Sequence, residues 1–385
     1  MRIKHIILYV AIAISLICYV PSVYLNVGLY NIFRLVLYLA MISFTFLALS
    51  LKDISKNREI KMLAIPIFIS IIQFLIYYSF SLNYNEYDIT LLIIPYTCVI
   101  SSYSLNFTDK DMTRLLTFYI CLALLIGAIS ARVYSTISYG SDDMYLIAGK
   151  NQIGAILSIA LTSSFYLSLI KEGIKKYLYA LGAIIGISIS SAIGCRSAFL
   201  AALLCIVYLF YKRTTGTKNF YKVFAFTFVS TPFIIYFAHD IIINFLNDFF
   251  IGERGAYQSV DDISSGRIDR NIAALSYIGS NLFHGEFIYK SGIPLIHNYI
   301  LLRLVRYGLF ALPLIVYYIQ YIYIALKQTT KSDLLIISKI GFYIIIIPYV
   351  ISMLEPQAPF GPGSVYIMVY ILFGYSLNKV KFNKL

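Results

Sequence analysis

Apolar stretches of about 20 residues recur along the whole chain, and they constrain the fold more than any other feature of the sequence. A helix of that length spans a bilayer with every backbone polar group bonded inside it. The stretches do not alternate polar and apolar residues as membrane β-strands do. Clear examples are 62–82, 115–130, 177–194 and 334–354. We therefore predict an all-α, polytopic integral membrane protein.

The charged residues are few, and their distribution argues against the partner that the net charge first suggests. Only 13% of the 385 residues are charged, whereas soluble domains carry about 25%. A formal net charge of +13 is common in nucleic-acid-binding proteins. Here the lysines lie in short loops between the apolar stretches, which is the positive-inside pattern of membrane proteins. We expect membrane lipids, and no nucleic acid, as partners.

The apolar stretches and basic loops together predict a topology. About twelve spans fit the chain, with approximate limits 6–22, 29–51, 62–82, 89–107, 115–137, 151–170, 177–194, 197–211, 222–238, 298–326, 334–354 and 363–378. This threading places most basic residues on one side, so both termini are predicted to be cytoplasmic. Residues 1–385 then form a single membrane domain, with one large periplasmic loop at 239–296.

Arginine residues occur on the extracytoplasmic side, where the positive-inside pattern does not predict them. A guanidinium can bind phosphate or carboxylate through two parallel hydrogen bonds, whereas lysine offers a point charge. These arginines suggest an anionic ligand at the outer boundary of the membrane. The main ones are Arg132, Arg196, Arg267, Arg270, Arg303 and Arg306. For Arg132, pairing with Asp142 or Asp143, or with lipid phosphates, is an equally good alternative.

Within the long loop, residues 266–282 are predicted to form an amphipathic helix. Its apolar face carries Ile268, Ile272, Leu275, Gly279 and Leu282. A second face carries Arg267, Arg270, Tyr277 and Asn281, and Ser264 or Ser265 can cap the N-terminus. Such a helix is expected to lie at the membrane surface with its arginines toward a polar cavity. The simpler alternative is an interfacial helix that contacts only lipid headgroups.

His297 and Asn298 open the tenth predicted span, shortly after Pro294. A histidine there can act as a general base or donate to a phosphate. The alternative is a residue that only starts the helix by bonding to nearby backbone. His284 and Glu286 are weaker candidates. No C-x-x-C or zinc-site spacing is present among the cysteines and histidines, so we expect no metal and no cofactor.

Several short segments resemble, in their order, those of the O-antigen polymerases and O-antigen ligases, lipid-linked polysaccharide glycosyltransferases of bacterial envelopes. The segments cover about residues 149–308, and the number of spans also matches that of the family. They are Gly149-Lys150-Asn151-Gln152, Cys195-Arg196-Ser197, Ser265-Gly266-Arg267 with Arg270, Asn281-Leu282-Phe283-His284-Gly285, and His297-Asn298-Tyr299 with Gly308.

The resemblance implies that Arg196, Arg267 and Arg270 hold an undecaprenyl diphosphate and that His297 lies at the reacting centre. Arg303 joins the diphosphate-binding group, and Glu286 is a second candidate base. Possible contacts to the glycan or the lipid carrier are Arg132, Lys150, Asn151, Tyr277, His284, Asn298 and Tyr299. Preorganised arginines can stabilise a departing diphosphate without a metal ion, and a base can activate the acceptor hydroxyl.

The implied activity is that of an O-antigen polymerase at the periplasmic face of the bacterial inner membrane, a glycosyltransferase of lipopolysaccharide biosynthesis. Its donor and acceptor would be undecaprenyl-diphosphate-linked oligosaccharides, and a chain-length regulator protein is a further candidate partner. One alternative is an O-antigen ligase, which transfers the glycan to lipid A–core. The polymerase is favoured because the Ile- and Tyr-rich, Trp-free composition resembles that of members from surface-polysaccharide gene clusters. The other is a flippase of lipid-linked sugars, which predicts charges along a path through the bundle instead of convergence on one outward cavity.

Overall fold

All regular secondary structure in the part of the chain that the structure describes is helical. The computed structural model describes residues 3–48, 57–80, 87–104, 107–134, 149–215, 244, 267–287, 292, 296–329, 335–355, 359–360 and 365–382. The all-α prediction is confirmed for these residues. The ninth predicted span, 222–238, lies outside them, as do Ser264, Ser265 and most of the predicted loop 239–296.

The helices of the described residues follow the apolar stretches. They are α1 (Ile3–Ile17), α2 (Pro21–Tyr24), α3 (Val27–Ala48), α4 (Arg58–Ser79), α5 (Tyr87–Tyr103), α6 (Asp109–Tyr134), α7 (Lys150–Ile170), α8 (Ile174–Ile193), α9 (Arg196–Thr215), α10 (Arg267–Asn281), α11 (Tyr299–Tyr307), α12 (Leu312–Thr329), α13 (Ile340–Ile344), α14 (Ile346–Ile351) and α15 (Ile367–Phe382). Short 3-10 helices cover Gly285–Phe287, Gly308–Ala311 and Ile337–Lys339.

The lengths and compositions of these helices are those of a membrane-embedded protein. Among the described residues, five helical segments are long and apolar enough to cross a membrane, and five shorter ones are also apolar. Every predicted span other than 222–238 coincides with one or more of the helices above. These helices support a membrane-embedded protein, while the number of spans stays a prediction.

Large apolar side chains point outward along the peripheral helices. Leu35, Phe68, Leu125 and Val207, on four different helices, are each more than half exposed. A soluble protein rarely exposes apolar surface on this scale, because its contact with water is unfavourable. In a bilayer the same surface lies against lipid chains.

Helix α7 is the most enclosed of the long spans, and its neighbours α6, α8 and α9 pack directly against it. Small residues allow this close approach. A Cβ atom added at Gly154 would lie 2.6 Å from the Cβ of Cys195. The Cys195 thiol also donates to the Lys150 carbonyl at 3.1 Å. The start of α7 is therefore held against the start of α9.

Two of the predicted spans are not continuous helices. In 298–326, α11 ends at Tyr307 because Gly308 has a φ of 55°, and the chain passes through a short 3-10 helix before α12. In 334–354, α13 and α14 are separated at Ile345. Pro348 has no backbone N–H to continue the helical hydrogen bonds across that point. Both breaks depend on single residues inside long apolar stretches.

The bundle has two chemically different ends. Helices α7, α9 and α11 begin at one end, where α14 also finishes; we call it the site end. At the opposite end Lys171 Nζ is 3.4 Å from Thr113 Oγ1, and Lys379 Nζ is 3.8 Å from Asp109 Oδ1. A cavity of about 350 Å³ there is lined in part by Lys171, Lys176 and Arg213. Basic residues of the predicted cytoplasmic loops thus gather away from the site end.

Candidate functional site at one end of the bundle

Helix α10 is amphipathic, with bounds that differ by one residue at each end from the prediction. Its inner face packs on α11, where Ala274 is fully buried with Tyr277 and Ile278 around it. The predicted apolar face is exposed: Ile272 is 60% and Leu275 57% accessible. Among the described residues, the helix therefore has one face packed on the protein and a separate apolar face that is largely exposed.

We expect this apolar face to lie against lipid. Burying an aliphatic side chain is worth about 1.5–3 kcal/mol, so the exposed isoleucines and leucines should draw α10 onto the bilayer surface. A nitroxide placed at Ile272→Cys in lipid nanodiscs should collide more with oxygen than with a water-soluble nickel complex. A nitroxide at Ser280→Cys, on the exposed polar face of the same helix, should show the reverse. Equal accessibility at both positions would contradict the prediction.

Two glycines join the segment after α10 to the end of α11, and we call this contact the glycine clasp. Gly285 and Gly308 both have positive φ, 54° and 55°. A Cβ at Gly285 would lie 2.6 Å from the Gly308 nitrogen, and one at Gly308 would lie 2.9 Å from the Gly285 nitrogen. The Leu309 N–H donates to the Leu282 carbonyl at 2.8 Å. Backbone here packs directly on backbone, which only glycine allows.

Side chains from the predicted site complete the clasp. The Tyr277 hydroxyl donates to the Gly285 carbonyl at 3.1 Å, and His284 Nδ1 lies 2.8 Å from the same oxygen. Partial burial, and then the charge of Glu286, raises the pKa of Tyr277. Glu286 lies in the 3-10 turn that follows α10. The Tyr277 hydrogen bond ties α10 to Gly285, and Gly285 in turn packs on the end of α11.

Gly308→Ala is expected to lower the free energy of unfolding by about 1–3 kcal/mol, because the new Cβ meets backbone and the positive φ becomes strained. The measurement is thermal unfolding of the purified protein in detergent. Gly279→Ala is the matched control, since a Cβ there has no atom within 4 Å and alanine favours the helix. Equal melting temperatures for Gly308→Ala and the unmodified protein would mean that the clasp contributes nothing.

The carboxylate of Glu355 contacts side chains from three of the segments noted in the sequence. Glu355 Oε1 accepts from Arg267 Nη2 at 2.9 Å and from the Ser197 hydroxyl at 3.3 Å. Glu355 Oε2 lies 3.8 Å from His297 Nδ1. We call these four residues the Glu355 cluster. The side chains of Arg267, His297 and Glu355 are between 12% and 16% exposed, so the charges of Arg267 and Glu355 are only partly screened by solvent.

The helix ends explain why these side chains meet. Gly194 adopts the left-handed conformation that ends α8, and the chain enters α9 two residues later, with Arg196 as its first residue. This turn brings Ser197, beside Arg196, to the site end. Arg267 is the first residue of α10. The packing of α10 on α11 holds Arg267 at the site end.

His297 lies two residues before α11, whose start is bonded to the residues that follow α14. Asn298 caps α11 by accepting from the Leu301 N–H at 3.0 Å, and its Nδ2 donates to the Met353 carbonyl at 3.4 Å. The Tyr299 N–H donates to the Ser352 carbonyl at 2.9 Å. Two consecutive residues of one segment are thus bonded to two of the other. This pairing holds Glu355, a few residues beyond Met353, opposite His297.

Arg303 and Tyr299 lie beneath this surface. Arg303 is only 2% exposed, and its guanidinium carbon lies 4.9 Å from the centre of the Tyr299 ring. Tyr299 itself stacks on Tyr318 at 5.3 Å. The two predicted ligand contacts are therefore placed within the packed support of the site. A cation over an aromatic face is a stabilising arrangement in such surroundings.

The remaining predicted residues are distributed around the cluster. Arg270 is half-buried, one turn after Arg267 on α10, and Lys150 is half-buried at the first position of α7. Asn151 is exposed at the next position of that helix, and Arg132 is exposed in the last turn of α6. All of these positions belong to helix ends at or near the site end.

Glu355 was not among the residues predicted from the sequence. It directly follows the eleventh predicted span, in Leu354-Glu355-Pro356. The carboxylate predicted as a base was Glu286, whereas the one that contacts His297 is Glu355. A signal was present: an acidic residue at the outer end of a span, on the side where the arginines accumulate. A count of basic residues alone does not reveal this acidic residue.

The described residues form a bundle of apolar helices suited to a membrane, with an arginine- and histidine-bearing polar site at one end. No protein-family model, curated protein or solved structure matches the chain.

Proposed function

We propose that the protein is an O-antigen polymerase, a metal-independent glycosyltransferase. It would transfer a growing glycan from one undecaprenyl diphosphate to a new lipid-linked repeat unit. The proposal places the site end at the periplasmic face of the inner membrane and both termini in the cytoplasm. The gathering of lysines at the opposite end supports that orientation.

The observation that carries the proposal is the convergence of Arg267, Ser197 and His297 on Glu355. A lipid diphosphate needs cations at the membrane boundary, and the acceptor sugar needs a base beside them. The Glu355 cluster supplies both in one partly buried place, with Arg270 one turn away. A flippase would instead need charges along a path through the bundle, so the arrangement favours a transferase.

In the proposed reaction an acceptor hydroxyl attacks the anomeric carbon of the donor glycan. His297 takes the hydroxyl proton as the new carbon–oxygen bond forms. The bond from the anomeric carbon to the diphosphate breaks, and its electron pair leaves on the diphosphate oxygen. Arg267, Arg270 and Arg196 stabilise that charge through preorganised N–H groups. The hydrogen bonds of Asn298 and Tyr299 fix the position of the backbone at His297.

The test is the lipopolysaccharide ladder of a host from which this gene has been deleted. A polymerase predicts core carrying a single repeat unit, with the ladder restored by the unmodified gene. Core without any repeat unit would contradict the proposal. Accumulation of lipid-linked polymer at the periplasmic face would then indicate an O-antigen ligase, and absence of periplasmic lipid-linked sugar a flippase.

A further inference from the structure

The surroundings of the His297 ring nitrogen that faces Glu355 indicate how this site is arranged. His297 Nδ1 is buried and has no hydrogen-bond partner among the described residues. The nearest carboxylate oxygen is Glu355 Oε2, at 3.8 Å. A buried polar atom left without a partner is unfavourable. A small rotation of either side chain would bring the two atoms to hydrogen-bond distance, and catalytic hydrogen bonds are often long before substrate binds.

The two oxygens of Glu355 have different neighbours. Oε1 takes the hydrogen bonds from Arg267 and Ser197, whereas Oε2 faces His297. Arg267 and Ser197 thus fix the orientation of the carboxylate before any ligand arrives. A fixed carboxylate on one side of an imidazole selects which ring nitrogen carries the proton, because only an N–H can be donated to it.

We propose that Glu355 is a positioning residue that holds the proton of neutral His297 on Nδ1 and so leaves the lone pair of Nε2 for the acceptor hydroxyl. The catalytic part of this inference rests on the proposed function. In the reaction the hydroxyl proton moves to Nε2, and the imidazolium that forms is stabilised by the Glu355 carboxylate. Glu355 itself stays ionised and touches no reacting atom.

The first test needs no turnover. The chain has 4 histidines, so the ¹⁵N spectrum of histidine-labelled protein is simple, and the His297 signals are those lost in His297→Gln. At about pH 8.5 an ordinary imidazole is neutral. We expect the Nδ1–H tautomer in the unmodified protein and a shift of population to Nε2–H in Glu355→Ala. The Nε2–H form in the unmodified protein, or an unchanged tautomer in Glu355→Ala, would overturn the proposal.

Glu355→Gln covers the case in which the alanine variant does not fold. Its amide oxygen should stay with the donors Arg267 and Ser197, so its NH2 group faces His297 Nδ1 and should donate to it, which shifts the population to Nε2–H. A glutamine variant that keeps the Nδ1–H form would contradict the inference. Folding of each variant is checked by its elution from a sizing column in detergent.

The second test measures polymer formation with purified lipid-linked repeat units. We expect Glu355→Ala to lower kcat at least about 100-fold, and Glu355→Asp to recover part of the loss. A purely structural Glu355 would lower the amount of folded protein and leave kcat per folded molecule unchanged. Polymer from the unmodified protein with an unchanged kcat in Glu355→Ala would refute the positioning role alone. Absence of polymer from the unmodified protein would refute the proposed function, and the tautomer result would still decide whether Glu355 holds the Nδ1 proton.

Discussion

His297→Gln is expected to reduce polymer formation by about 10²–10⁴-fold, the usual contribution of a positioned general base. Glutamine is close to histidine in size and can still bond to Glu355, but it cannot take a proton from the acceptor hydroxyl. The loss should therefore appear in kcat, with little change in the KM of the lipid-linked donor. The measurement is the rate of glycan elongation by purified protein in detergent or nanodiscs.

His5→Gln is the matched control for this prediction. His5 lies on α1, where its ring stacks on Phe107 at 4.6 Å, next to the start of α6 at the opposite end of the bundle. The same chemical change at this position should leave elongation unaltered. A His297→Gln variant that elongates glycan as fast as His5→Gln would remove His297 from the reacting centre.

Arg267→Lys is expected to reduce polymer formation by about 10²–10³-fold, the scale of losing one preorganised donor to a developing oxyanion. Lysine keeps the positive charge, so the variant tests the planar guanidinium and its paired N–H donors. Part of the effect should appear as a higher KM for the lipid diphosphate. Arg114→Lys is the control, because Arg114 is exposed near the start of α6, at the opposite end.

Loss of stability must be separated from loss of catalysis at Arg267. Removing the arginine leaves the partly buried carboxylate of Glu355 without its 2.9 Å partner, and an uncompensated charge destabilises a protein. Arg267→Ala should therefore unfold at a lower temperature than the double variant Arg267→Ala/Glu355→Ala. Recovery of the melting temperature in the double variant would show that Arg267→Ala loses stability through the unpaired carboxylate. A double variant that unfolds no higher than Arg267→Ala would contradict this reason. Activity is not expected to recover, because Glu355→Ala itself lowers kcat.

Helix α10 shows which structural features a local sequence pattern can predict and which it cannot. The order of residues 266–282 predicted the helix and placed its two arginines on a different face from Ile268, Ile272 and Leu275. The structure confirms each of these for Arg267–Asn281. Periodicity is a property of one segment, so it can be read without knowing the partner. The partner, α11, and the glycine clasp that joins them were not predictable in this way.

The roles of the aromatic residues, in contrast, could not be predicted from a local sequence pattern. The chain has 36 tyrosines, and the sequence allows each of them to be a sugar-stacking face or part of the core. Several are fully buried, and Tyr317, Tyr321 and Tyr370 surround Phe360 with ring centres 5.0–6.4 Å from it. Their hydroxyls bond inside the protein, as Tyr370 does to the Pro359 carbonyl at 3.0 Å. Burial decides between the two roles, and it depends on the packing of distant helices.

The sequence by itself determined that this chain is all-α and membrane-embedded, because the length and composition of an apolar stretch are local properties that a bilayer tests directly. It also marked Arg267 as unexpected on its side of the membrane and His297 as a candidate site residue. Only the tertiary structure decided that Glu355 joins Ser197, Arg267 and His297, since Glu355 is 88 residues from Arg267 and 158 from Ser197 along the chain. The same holds for the break at Gly308 and the burial of Arg303. Each of these depends on which helix ends meet, and that is set by packing between segments far apart in sequence.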